Sequence, residues 1–133
     1  MSALVGTIRP LSDRVVIRIP ASTKHVALVR ATATSLAAML DFTYDRITDL
    51  HIAIDEICSR ILATSTPRAR RLEVTFTIEA DSLRIQARGD APARPDTPFL
   101  TTWSRAILES VTDGVEVTSP DDIACATFSL AKG

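Results

Sequence analysis

The order of segments predicts an α+β fold, a two-layer sandwich with a mixed, mostly antiparallel sheet and helices on one face. Three observations carry this. Stretches of β-branched residues are joined, in two places, by turns too short for the crossover that parallel neighbours need. The longer helical stretches each carry one apolar stripe, so each has one face to bury against a sheet. The chain of 133 residues, 46% apolar and 23% charged, is long enough to bury a core without disulfides or metal, and is expected to form a single domain over 1–133 with an ordered core at about 12–132.

Residues 14–19 alternate and are rich in Val and Ile, which predicts a strand ended by Pro20. Ser22 or Thr23 can cap a helix reaching about Leu40, with Val26, Val29, Ala33, Leu36, Ala37 and Leu40 at helical spacing. After a connector at 41–44, a second helix is expected over 45–64, where Ile47, Leu50, Ile54, Ile57, Cys58 and Ile61 form the apolar stripe. Asp49, Ile52, Glu56 and Arg60 lie in one line on its other side. Beyond a basic turn at 67–71, residues 72–78 and 83–87 read as a hairpin. Pro92, Pro95 and Pro98 make 89–98 a non-helical loop. A short helix at 101–111 follows, with Thr101, Thr102 or Ser104 as its cap and Gly114 at its C-terminal end. Strands at 115–118 and 124–130, separated by a turn at 119–122, complete the order.

Composition narrows the functional classes. Fifteen basic and 16 acidic residues leave no global field to draw in nucleic acid or a membrane. Residues 1–10 contain no apolar run of the kind a signal peptide or anchor needs, so a cytoplasmic location is expected. Cys58 and Cys125 lack ligand-like spacing and read as small core residues. His25 and His51 are isolated, and no metal site is expected.

The stretch 49–60, Asp-Leu-His-Ile-Ala-Ile-Asp-Glu-Ile-Cys-Ser-Arg, resembles the N box of the GHKL ATPases, in the version carried by bacterial anti-sigma factor kinases of the RsbW/SpoIIAB type, especially their divergent actinobacterial members. The resemblance implies the Bergerat (histidine kinase-like ATPase) fold. In that family the helix carries a Glu that acts as general base and, four residues on, an Asn that holds magnesium. Glu56 matches the Glu, whereas the Asn position is Arg60, a permanent cation that cannot ligate a metal. The family's adenine-binding Asp and nearby glycines correspond to Gly89, Asp90, Ala91, Pro92 and Ala93, so Asp90 contacts adenine only after a one-residue shift and both glycines are alanines. The glycine-bearing lid corresponds to 98–104, which has no glycine.

By resemblance, then, the chain is expected to be an anti-sigma factor, often homodimeric in this family, that sequesters an alternative sigma factor and is countered by an anti-anti-sigma protein with a STAS domain. Its ATP site is expected to be degenerate, with Glu56 a vestigial base, Arg60, Asp90, Ala91 and Ala93 lining the remnant, and no cofactor required. The alternative is an active serine-protein kinase acting on that antagonist. The family's sigma contact involves the first helix, which makes Lys24, Arg30 and Thr34 candidates; their other reading is a solvated helix face. Glu56 and Arg60 read either as an exposed i,i+4 ion pair or as a site where Arg60 meets phosphate or a partner carboxylate. Trp103 beside Phe99 reads either as an interface anchor or as packing over the cleft.

Overall fold

The computed structural model describes residues 14–65 and 68–133. The first thirteen residues, and Pro67 of the expected basic turn, lie outside them. The elements run β1 (Arg14–Pro20), a 3₁₀ turn (Thr23–His25), α1 (Val26–Met39), α2 (Tyr44–Thr64), β2 (Arg71–Ile78), β3 (Ser82–Gly89), α3 (Thr102–Val111), β4 (Gly114–Thr118), a second 3₁₀ turn (Pro120–Asp122) and β5 (Cys125–Ala131). The sheet order is β1-β2-β3-β5-β4, and all four pairings are antiparallel. The sheet is thus wholly antiparallel among the described residues: short turns join β2 to β3 and β4 to β5, and β1 reaches β2 through α1 and α2.

Alternation along the strands sorts the sheet into two faces. Leu72, Val74 and Phe76 of β2, Leu83, Ile85 and Ala87 of β3, and Ala126, Phe128 and Leu130 of β5 are all buried on the helix side. Val29, Ala33, Leu36 and Ala37 of α1, and Leu50, Ala53, Ile54, Ile57, Cys58 and Ile61 of α2, close the core above them. The other sheet face carries Arg18, Glu73, Thr75, Arg84, Gln86 and Arg88, and no element among the described residues lies over it. Both cysteines are buried, as their isolation suggested. Burial, then the nearby Asp55 charge, pushes the Cys58 thiol up to about 12 against the pull of Arg30.

Helix boundaries differ from the sequence reading in three places. Ser22 does not cap a helix; its Oγ meets His25 Nδ1 at 2.7 Å, and the chain makes one 3₁₀ turn before α1. α2 is capped by Thr43, whose Oγ1 accepts from the Arg46 N–H at 3.2 Å, so Tyr44 belongs to the helix rather than the connector. Gly114 opens β4, and the end of α3 is closed by Thr112, whose N–H and hydroxyl both donate to the Leu108 carbonyl. Hydroxyl residues close the start of α2 and the end of α3, whereas α1 begins at His25 with no side-chain cap. No helix among the described residues is long and apolar enough to cross a membrane.

Candidate functional site

The line Asp49, Ile52, Glu56, Arg60 runs along α2 on the side that meets α3 and the loop at 90–101. Its members have separate fates. Asp49 accepts from Arg46, and Arg46 also reaches Asp113 and the Ala131 carbonyl, tying the start of α2 to the ends of β4 and β5. Ile52 is exposed. Glu56 accepts a 2.6 Å hydrogen bond from the hydroxyl of Ser104, a residue only 2% exposed. Ser104 is held there because Thr101 caps α3, its Oγ1 accepting from the Ser104 N–H at 3.0 Å.

Arg60 does not pair with Glu56. Its Nε donates to the Phe99 carbonyl at 2.7 Å and its Nη2 to the Pro98 carbonyl at 3.1 Å. The exposed i,i+4 pair expected from spacing is therefore absent, because main-chain acceptors from a segment almost forty residues away are better placed for a planar guanidinium. The same loop is held further along α2 by the Arg94 N–H donating to the Thr64 carbonyl at 2.7 Å, and by a strand-like bridge between Ser65 and Ala93. The loop thus lies in direct contact with the last turns of α2, and its continuation at α3 meets Glu56.

The residues matched to nucleotide binding are dispersed by this packing. Gly89 ends β3 facing the helices: a Cβ built there would lie 3.0 Å from Ile61 Cγ2 and 3.3 Å from Ala69 Cβ. Asp90 points elsewhere, and its Oδ1 accepts from the N–H groups of Arg70 and Arg71 at 2.8 and 3.2 Å. Desolvation opposes its charge, but these N–H groups, its own N–H and the Arg71 guanidinium outweigh that and hold the carboxyl below the usual carboxylate range. Ala91 is buried, and Ala93 donates its N–H to the Asp122 carbonyl at 2.8 Å. A depression of about 510 Å³ beside the loop is lined by residues including Pro92, Arg94, Thr97, Ser119 and Asp122, and neither Glu56 nor Arg60 borders it. Among the described residues no three His, Cys, Asp or Glu side chains converge as metal ligands would.

Trp103 is 74% exposed, so it does not pack over the cleft, whereas Phe99 is partly buried against the core. On α1, Arg30 is half-buried and donates to Asp55 at 2.6 Å. Thr34 donates to the Arg30 carbonyl, and its hydroxyl meets His51 Nε2 at 2.6 Å. Lys24 is exposed in the 3₁₀ turn. The Ser104, Pro98 and Phe99 contacts are not legible in the sequence, since a buried serine and two carbonyls have no motif of their own.

An antiparallel five-stranded sheet with three helices on one face, and with the Glu56 helix over it, defines a GHKL-like sandwich. No family model matches the chain. It is similar to proteins named serine-protein kinase RsbW: 32% identical over 140 residues to that of Bacillus velezensis, covering 91% of this chain and 88% of the relative, and 29% identical over 142 residues to that of Bacillus subtilis, covering 92% and 88%. A match to the Bacillus cereus protein of the same name is 32% identical over 76 residues and covers 48% of that relative's length. The chain belongs to the RsbW/SpoIIAB-type anti-sigma factor family.

Proposed function

We propose that this protein is an anti-sigma factor that sequesters an alternative sigma factor by occlusion and is released by a STAS-domain antagonist, without phosphorylating it. We place it in the cytoplasm as a homodimeric, single-domain chain with a degenerate ATP site. The observation that carries the reading is the Arg60 guanidinium donating to the Pro98 and Phe99 carbonyls. A cation stands at the position of the family's metal ligand, and main-chain carbonyls are its acceptors. The donor set does not suit Mg-ATP: a guanidinium repels a divalent ion, and the pocket at Gly89 is filled by Ile61 and Ala69. Glu56 is engaged by Ser104, which leaves its carboxylate as a brace between α2 and α3.

The sigma contact is assigned to α1, with Lys24 and Arg30 reaching the partner and Thr34 supporting the helix from its bond to His51. Arg30 borders a depression of about 170 Å³ between α1 and α2, lined also by Thr23, Val26, Asp55, Ser59 and Leu62. A partner carboxylate displacing Asp55 from Arg30 would exchange one exposed ion pair for one sheltered in the complex.

The deciding experiment pairs calorimetric titration of Mg-ATP with a promoter-transcription assay using the alternative sigma factor. The expected result is inhibition of transcription with no Mg-ATP heat, and loss of inhibition by Arg30→Glu in a folded protein. Micromolar Mg-ATP binding with transfer of labelled phosphate to the STAS antagonist would establish the alternative, an active serine-protein kinase.

A further inference from the structure

The sheet face that no described element covers holds a depression of about 300 Å³ that includes Arg18, Arg71, Glu73, Arg88 and Asp90 in its lining. Register explains how these residues meet. Arg18 of β1 faces Glu73 of β2, and Glu73 faces Arg88 of β3, so three neighbouring strands place a carboxylate between two guanidiniums. Pro20 faces Arg71 one step along the same face. Glu73 is fully used: Oε2 accepts from Arg18 Nε at 2.6 Å and Oε1 from Arg88 Nε at 3.2 Å. Its side chain is 22% exposed, while those of Arg18 and Arg88 are 62% and 51% exposed. Arg88 Nη2 also lies 3.2 Å from Oε1, so the carboxylate orients both guanidiniums while their remaining N–H groups stay available to solvent.

Asp90, the second carboxylate, has one oxygen committed to the Arg70 and Arg71 N–H groups. Among the described residues, no carboxylate forms an ion pair with the Arg71 side chain, although Asp90 is close enough to feel its charge. Three guanidiniums thus border one depression with two carboxylates, both already hydrogen-bonded, in a chain whose overall charge is −1. A local positive excess against a nearly neutral whole is an address for an anion. Planar forks with unused donors match tetrahedral oxyanions, which offer more acceptor directions than a carboxylate.

We propose that this depression is an anion site that binds a phosphate group through Arg18, Arg71 and Arg88, with Glu73 as the residue that orients two of them. The site lies on the opposite side of the sheet from Glu56 and Arg60 and is independent of the function proposed above.

The test is NMR titration of the full chain with inorganic phosphate at constant ionic strength and pH 7.5, with phosphoserine and a nucleoside monophosphate as parallel arms. The expected result is saturable shifts of the Arg71, Arg88, Gly89 and Asp90 amides, with affinity reduced about fivefold to tenfold in Arg71→Ala and by less in Arg71→Lys, since an ammonium keeps the charge but not the fork. Tighter binding of phosphoserine assigns a phosphorylated side chain as the source, tighter binding of the nucleotide assigns a nucleotide, and equal binding assigns free phosphate. Glu73→Gln, checked for folding by circular dichroism, keeps the strand pairing and is expected to loosen the guanidiniums and weaken binding although it removes a negative charge. Non-saturating shifts spread equally over Arg84 and Arg105, or an unchanged affinity in folded Arg71→Ala, would overturn the proposal.

Discussion

Replacing Arg60 with Ala removes two hydrogen bonds from a half-buried guanidinium to the carbonyls of Pro98 and Phe99, at 3.1 and 2.7 Å. A hydrogen bond to a charged group nets about 1.5–3 kcal/mol when sheltered from water. The Phe99 bond is partly buried and the Pro98 bond is exposed, and both carbonyls can rehydrate once the side chain is gone, so the loss is expected to be about 1.5–2.5 kcal/mol in total. For a chain of this length each kcal/mol moves the melting temperature by about 3–5 °C, which puts the variant roughly 5–12 °C below the parent. The spacing of Glu56 and Arg60 alone would have predicted only about 0.3–0.5 kcal/mol, the value of an exposed helix pair. Thermal and urea denaturation measure the difference, and amide hydrogen exchange locates it: exchange should speed up at Leu100 through Arg105 while the strand amides are unchanged. Arg60→Lys should fall between the two, because an ammonium can reach one carbonyl but cannot fork across both. A melting temperature within about 1 °C of the parent, with exchange unchanged in the loop, would refute the idea that Arg60 holds this segment.

Three further outcomes are expected. Gly89→Asp, which restores the family's letter, should destabilise by at least about 3 kcal/mol, because its Cβ would meet Ile61 at 3.0 Å and its carboxylate would have Ser65 as its nearest hydroxyl; a stable variant that gained Mg-ATP binding in a thermal-shift assay would show the pocket to be intact. Glu56→Ala should lower stability by about 1–2 kcal/mol through loss of the Ser104 bond, yet leave inhibition of transcription intact, and loss of inhibition in a folded variant would reassign Glu56 to partner binding. Asp90→Asn tests a pH effect: a carboxyl held below its unfolded value near 3.9 contributes stability that is present above that pH and is lost as pH falls through the lower folded value. The stability gap between parent and variant, roughly 0.5–1 kcal/mol at pH 7 for so exposed a group, should therefore close in urea melts below the folded pKa, and a gap that persisted there would mean Asp90 acts through packing and not charge.

Period and local chemistry were enough to place the elements. Leu50, Ile54, Ile57, Cys58 and Ile61 recur at helical spacing because one face of α2 must meet the sheet, and all five are buried. Alternation in β2 and β3 likewise announced which residues face the helices, and the short links between strands required antiparallel neighbours. The resemblance of 49–60 to an N box was legible because it is a run of consecutive letters on one helix, and the family assignment followed from it. What those letters do could not be read in the same way. Whether Glu56 meets Arg60 or Ser104 depends on where a segment 48 residues later is laid down, and a sequence has no term for that distance. The acceptors of Arg60 are main-chain carbonyls, which every residue has and no motif marks. Asp90 stood one letter from a family position, yet the pleat at the end of β3 turns Gly89 toward the helices and leaves Asp90 to bind the entry of β2. The sequence by itself determined which faces must be buried, since burial follows periodicity within one segment; the tertiary structure alone decided which polar groups meet, since those bonds join segments whose separation only packing closes.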